Sequence, residues 1–268
     1  MAMETDTTDT GIWPRRRLPA VVALGALLIG WACISRFGPW PQYMLPGPGG
    51  VVRMLAHTLR DGELPRAIAT SLYRLFVGYA LSAGGGITLG VMLARLGWLR
   101  AAVGPLVVGL QALPSICWLP LALLWFGLSE KAILFVVVMG SMLSITIATE
   151  GAVRAVPTMY IRAARTMGAR RLRLYTRVIL PAALPGIVTG LKLGWTFAWR
   201  SLMAGELLYV AGGLGQLLTL GRELGDMARV MSVMVVIVVL GLGFERLLFG
   251  SVEKRVRERW GYAQAEAS

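Results

Sequence analysis

The chain has 268 residues, of which 56% are hydrophobic and only 15% charged, and its formal charge is +13. A soluble domain carries about 25% charged residues, so the deficit points to lipid as the main solvent. The basic excess lacks the Lys/Arg stripe interleaved with aromatics that a nucleic-acid site needs, so no nucleic-acid partner is expected. Two cysteines and one histidine build no disulfide framework and no metal site, and no cofactor is expected.

Residues Met1 to Gly11 are polar and acidic and read as disordered. Arg15, Arg16 and Arg17 then precede an apolar run, as in a secretory signal. That run ends in Ser35-Arg36-Phe37-Gly38-Pro39-Trp40, with no small-x-small cleavage site, so it is read as a retained helix. About 20 apolar residues cross a bilayer as a helix. Six runs approach that length: Leu18 to Ile34, Leu72 to Ala94, Pro105 to Phe126, Ala132 to Thr149, Ile187 to Leu207, and Val230 to Gly250. The expected fold is therefore an all-α polytopic membrane protein with about six transmembrane helices. Its organisation reads as a cytoplasmic tail over 1–17, a membrane domain over 18–250 and a cytoplasmic tail over 251–268.

Six spans place both termini on one side. With the termini inside, 17 of the 27 Lys and Arg residues fall inside and 8 outside. Basic residues accumulate on cytoplasmic loops, which supports this orientation. The outer stretch from Phe37 to Ser71 opens with a turn at Leu45-Pro46-Gly47-Pro48. The following Val51-Val52-Arg53-Met54-Leu55 has helical apolar spacing and suits the outer interface. In the second run, Ser82, Gly86 and Gly90 recur every four residues, a spacing that lets helix backbones approach closely. Packing within the chain and a contact with another subunit explain it equally well. Pro114 and Pro120, flanking Trp118, interrupt the third run, because Pro removes a backbone donor and kinks a helix. Both a break lining a cavity and a simple packing kink fit.

The loop between the fourth and fifth runs, 151–186, carries seven arginines. Within it, Ile161, Ala164, Met167 and Leu172 can form one apolar side of a short helix, with arginines as the remainder. Gly168 tolerates the positive φ that ends such a helix. Pro181 and Pro185 mark the return to the membrane. A compact amphipathic element of this kind suits docking into a groove on a partner.

The fifth run holds three ionisable residues, Lys192, Arg200 and Glu206. Lys192, Trp199 and Glu206 lie seven apart and share one helical stripe, with Trp195 beside it. Arg200 projects roughly 80° from Lys192. Charges inside a span are costly and face protein or a water-filled cavity. These five residues and Trp118 are the candidate pathway set, with Arg200 offering its guanidinium fork to a carboxylate or sulfonate-like anion. The competing reading is that Arg200 makes an internal ion pair with Glu206 or with another helix, while Lys192 snorkels. Arg200 and Glu206 do not share a face, which disfavours a direct pair within this helix.

The loop resembles the EAA loop of ABC importer permeases, whose pattern is Glu-Ala-Ala, three residues, Gly, nine residues, Ile-x-Leu-Pro. Ala163, Ala164, Gly168, Leu180 and Pro181 match in place, while Arg162 stands for the Glu and Val178 for the Ile. The resemblance runs from about Leu45 to Trp260. Further phrases are similar to the nitrate, sulfonate, taurine and bicarbonate branch. They are Leu113-Pro114-Ser115, Trp118-Leu119-Pro120-Leu121-Ala122, Trp125-Phe126-Gly127, Leu180-Pro181-Ala182-Ala183-Leu184-Pro185, and Trp199-Arg200-Ser201, with Glu206 and Gly213-Leu214-Gly215 beyond. The resemblance implies an ATP-driven importer whose coupling residues are Ala163, Ala164, Met167, Gly168, Leu180 and Pro181. Its implied partners are an ATP-binding subunit, a second permease subunit in a homodimer, an extracytoplasmic solute-binding protein, and membrane lipid. No G-x-x-x-x-G-K-[ST] phosphate loop occurs, so if transport is ATP-driven the ATPase is another chain, and this one is expected to be a transport subunit and not an enzyme. An ion-gradient-driven transporter or a non-transporting scaffold is the alternative. The first commonly shows internal repeats, and none is evident here.

Overall fold

The computed structural model describes residues 18–41, 43–208 and 212–259. The tail over 1–17 and the last residues of the expected C-terminal tail lie outside them. Every regular element among the described residues is helical. In chain order these are α1 (Leu18–Phe37), α2 (Pro48–Arg60), α3 (Glu63–Arg95), α4 (Gly97–Gln111) and a 3-10 turn (Ser115–Trp118). Then come α5 (Leu119–Phe126), α6 (Glu130–Arg154), α7 (Thr158–Thr166), α8 (Arg171–Leu174) and a π-turn (Tyr175–Ile179). The series ends with α9 (Leu180–Leu208), α10 (Leu214–Glu223) and α11 (Met227–Arg259).

Four helices are long and apolar enough to cross a membrane: α3, α6, α9 with its preceding turn, and α11. The third expected span is not one helix. Its two halves, Gly97–Gln111 and Ser115–Phe126, meet at 106°, and counting the pair as one span gives five. The break falls at Leu113-Pro114, where Pro114 has ψ of 138° and cannot continue α4. At the first expected span, Val22–Phe37 is a shorter apolar helix, and most of its side chains are exposed.

Helix α6 is the axis of the bundle, packed along its length between α3 and α9. Close approach requires small residues, since apolar surface gains little by leaving lipid for another helix. Ser82, Gly86 and Gly90 of α3 all face α6, so their four-residue spacing serves packing within the chain. A Cβ on Gly86 would lie 2.8 Å from the Met142 carbonyl oxygen. On the other flank, a Cβ on Gly190 of α9 would lie 2.5 Å from Ala148 Cβ. Ser141 Oγ also hydrogen-bonds Ser82 Oγ at 2.7 Å across the α3–α6 seam. Below the bend, Trp118, Leu119 and Ala122 pack on Ala132, Val136 and Leu143 of α6.

Candidate functional site

Two regions hold the residues expected to act, and the structure sorts those residues differently from their sequence pattern. The first region is the connector between α6 and α9. Helix α7 starts after Pro157 and ends at Gly168, whose φ is +83°. The Gly168 N–H donates to the Arg165 carbonyl at 3.0 Å, and the Ala169 N–H to the Ala164 carbonyl at 2.9 Å. This is a Schellman closure, which satisfies the last carbonyls and needs a residue that accepts positive φ.

The expected single apolar side of this helix is in fact divided. Ala164 is 2% exposed and, with Ile161, packs on Val153, Val156, Leu174, Ile179 and Ala183 of its own chain. Met167 is 81% exposed, and Met159, Tyr160 and Leu172 are exposed with it. The inner side seats α7 on the bundle, and a different side is open to a partner. Ala163, Gly168 and Pro181 are exposed, and Leu180 packs against the same inner cluster.

The second region is α9. Its stripe of Lys192, Trp195, Trp199 and Glu206 turns toward α3 and α11. Trp195 is buried, with its ring centroid 5.1 Å from Tyr79 and 5.6 Å from Phe76. Trp199 packs in the same cluster, its indole against Gly241. Lys192 Nζ lies 3.8 Å from Glu245 of α11. Glu206 is 1% exposed and bound to Arg74 of α3 at 2.9 Å. Arg74 also donates from Nε and Nη2 to Glu130, at 2.6 and 2.5 Å. Ser71 Oγ sits 2.7 Å from one Glu206 oxygen and 2.9 Å from the other, and accepts the Leu214 N–H at 2.9 Å. The Gly215 N–H donates to Glu206 at 3.1 Å, so the carboxylate also caps α10, a favourable place for an anion.

Glu206 is therefore held as an internal ion pair with another helix. Trp118, also in the candidate set, is buried on Phe135 and does not line the cavity described next.

Arg200 differs from the other members of the set. It is exposed and lines a cavity of about 330 Å³ at the bend of the broken span. The wall includes Gln111, Pro114 and Ser115 from the bend, Ser144 from α6, and Phe197 from α9. Gln111 Nε2 donates to Ser144 Oγ at 3.2 Å. No side-chain hydrogen bond or ion pair joins the Arg200 guanidinium to another described residue. The sequence reading missed Gln111, Ser144, Ser71 and Arg74. Arg74 was the legible one, a lone charge at the edge of an apolar run.

Residues 86–258 match the model of the family described as binding-protein-dependent transport system inner membrane component. An ABC transporter permease protein of Methanocaldococcus jannaschii is 33% identical over 76% of this chain and 78% of its own length. The taurine transport system permease protein of Escherichia coli is 29% identical over 76% of each chain. The nitrate import permease protein of Leptolyngbya laminosa is 32% identical over 70% of this chain and 67% of its own. Among solved structures, an inward-facing MetNI methionine ABC transporter matches with a TM-score of 0.63 and 25% identity, over 71% of this chain and 94% of that one.

The chain belongs to the binding-protein-dependent transport family of inner-membrane permeases. It is a multi-pass membrane subunit of an ABC importer, a transport component without enzymatic activity of its own. The family implies an ATP-binding subunit, which hydrolyses the nucleotide, and a solute-binding protein.

Proposed function

We propose that this subunit couples to its ATPase through the outer side of α7 and passes a small anion, such as a sulfonate, nitrate or bicarbonate, along a route that includes Arg200. The observation that carries the coupling half is the set of exposed apolar side chains Met159, Tyr160 and Met167 on a helix closed by a positive-φ glycine, with exposed Leu172 just beyond it on α8. Large apolar side chains clustered on a basic connector have a reason to be there when a partner covers them. Ala163 keeps that side shallow, and Gly168, Leu180 and Pro181 fix the path back to α9. The Arg200 guanidinium, without an ion pair among the described residues, supports an anionic cargo, and the taurine and nitrate permeases among the relatives are consistent with it.

In this reading two copies form a homodimer in lipid, with both tails and the α7 connector on the cytoplasmic side. The solute-binding protein meets the opposite face, where Glu130 begins α6. Co-purification of the ATP-binding subunit with Met167→Asp and Gly168→Val tests the coupling half. Both variants should insert in the membrane and lose the ATPase. Full assembly and wild-type uptake in both would remove α7 as the coupling element.

A further inference from the structure

Among the described residues, the carboxylates in or bordering the spans are used, whereas several cations there, Arg246 of α11 among them, have no ion pair. Glu130 and Glu206 are taken by Arg74, Glu150 by Arg100 at 2.7 Å, and Glu245 by Lys192. Arg200 is left with no such counter-charge among the described residues, and it is the single ionisable residue on the wall of its cavity. A guanidinium inside an apolar span is expensive unless water or an anion meets it. The polar groups around it are neutral: the Gln111 amide, the Ser144 hydroxyl and Ser115.

We propose that this cavity is a binding station for one small monovalent oxyanion, held by Arg200 and oriented by Gln111 and Ser144. The inference rests on the reading of the chain as a permease for an anion, and adds where the anion stops and which valence is accepted. The fork of Arg200 offers two parallel N–H donors to two oxygens of a nitrate, bicarbonate, carboxylate or sulfonate group. Gln111 spends one amide hydrogen on Ser144 and has a second for the anion.

Valence selection follows from the charge count. One cation per cavity neutralises a monoanion. A dianion such as sulfate would leave one of its charges without a counter-cation on the cavity wall, which disfavours it relative to a monoanion. Size agrees, since about 330 Å³ lies at the lower end of small-molecule sites and suits an ion of a few heavy atoms with some water.

The break at Pro114 is what creates the station. Helix α4 ends at Gln111 and the chain turns by 106° before Ser115, so residues from both sides of the break line the cavity that holds Arg200.

The test is ligand-dependent thermal stabilisation of the purified transporter complex in detergent, because an anion that binds only the folded state raises its unfolding temperature. Sodium nitrate, sodium bicarbonate and sodium methanesulfonate are compared with sodium sulfate at matched ionic strength. At least one monoanion should stabilise the wild type with saturation, and sulfate should not. Arg200→Gln should abolish the saturable response. Arg200→Lys should weaken the apparent affinity by about tenfold or more, having charge without the fork, and Ser144→Ala should weaken it less. The proposal is overturned if no monoanion gives a saturable response, if Arg200→Gln and Arg200→Lys both respond as wild type, or if sulfate competes equally. None of these outcomes bears on ATPase co-purification, so failure here and failure of the coupling reading remain distinguishable.

Discussion

Arg74 and Glu206 face each other at 2.9 Å, each 1% exposed, although 132 residues separate them in the chain. Their pair ties the first half of α3 to the end of α9. The second arm of Arg74 reaches Glu130, which is 58% exposed, at the first residue of α6. One guanidinium therefore links all three central helices.

Removing one member of this pair strands the other. Arg74→Met should destabilise the fold by about 3–5 kcal/mol, the usual cost of an uncompensated buried charge. The double variant Arg74→Met, Glu206→Met should be less damaged than Arg74→Met alone, because it buries no lone carboxylate. Unfolding midpoints of the purified complexes check the order. A double variant worse than the single one would mean that the Glu206 cap on α10 outweighs the ion pair.

The α6–α9 seam makes a second prediction. Gly190→Ala would press a methyl group against Ala148, and overpacking of this kind costs about 1–3 kcal/mol. Ala148→Gly in the same chain removes the clash and should restore most of the midpoint. Equal midpoints for the single and double variants would show that the helices separate without cost.

Topology gives the third. Cys33 and Cys117 are both exposed, so both are first replaced by Ser. A membrane-impermeant maleimide added outside should reach Lys131→Cys and miss Gly168→Cys. Lys131 is used because Glu130 is occupied by Arg74. Labelling at 168 from outside would reverse the orientation inferred from the basic residues.

Much of this architecture is legible in the sequence. Apolar runs marked the helices, Pro114 marked the break, and Gly168 marked the end of α7. The helices nevertheless extend beyond the apolar runs: α9 starts at Leu180 rather than Ile187, because hydropathy reports lipid contact and not helical hydrogen bonding. The α9 stripe was visible, but which way it turns depends on α3 and α11. Arg74 was counted with the outer segments, since nothing near position 74 announces a partner at position 206. Likewise, Ile161, Ala164 and Met167 have one periodicity, yet the first two seat the helix and the third points away. Periodicity finds apolar positions, and only packing divides them between the chain and its partner.

That division yields the last prediction, which separates seating from docking on one short helix. Ala164 is buried among Val153, Leu174, Ile179 and Ala183, so Ala164→Asp puts a carboxylate into an apolar cluster. Burying a charge without a partner is costly, and α7 should lift off the bundle. Met167 touches water on the free chain, so Met167→Asp should leave the isolated permease as stable as wild type, within about 0.5 kcal/mol for an exposed site. Both variants should lose the ATP-binding subunit, for different reasons. Limited proteolysis of the permease alone tells them apart. The arginine-rich connector should be cut faster by trypsin in Ala164→Asp and at the wild-type rate in Met167→Asp. If Met167→Asp also opens the connector, the exposed side has a structural role and not a docking one. If Ala164→Asp is neither cut faster nor impaired in assembly, the inner cluster does not hold α7 in place.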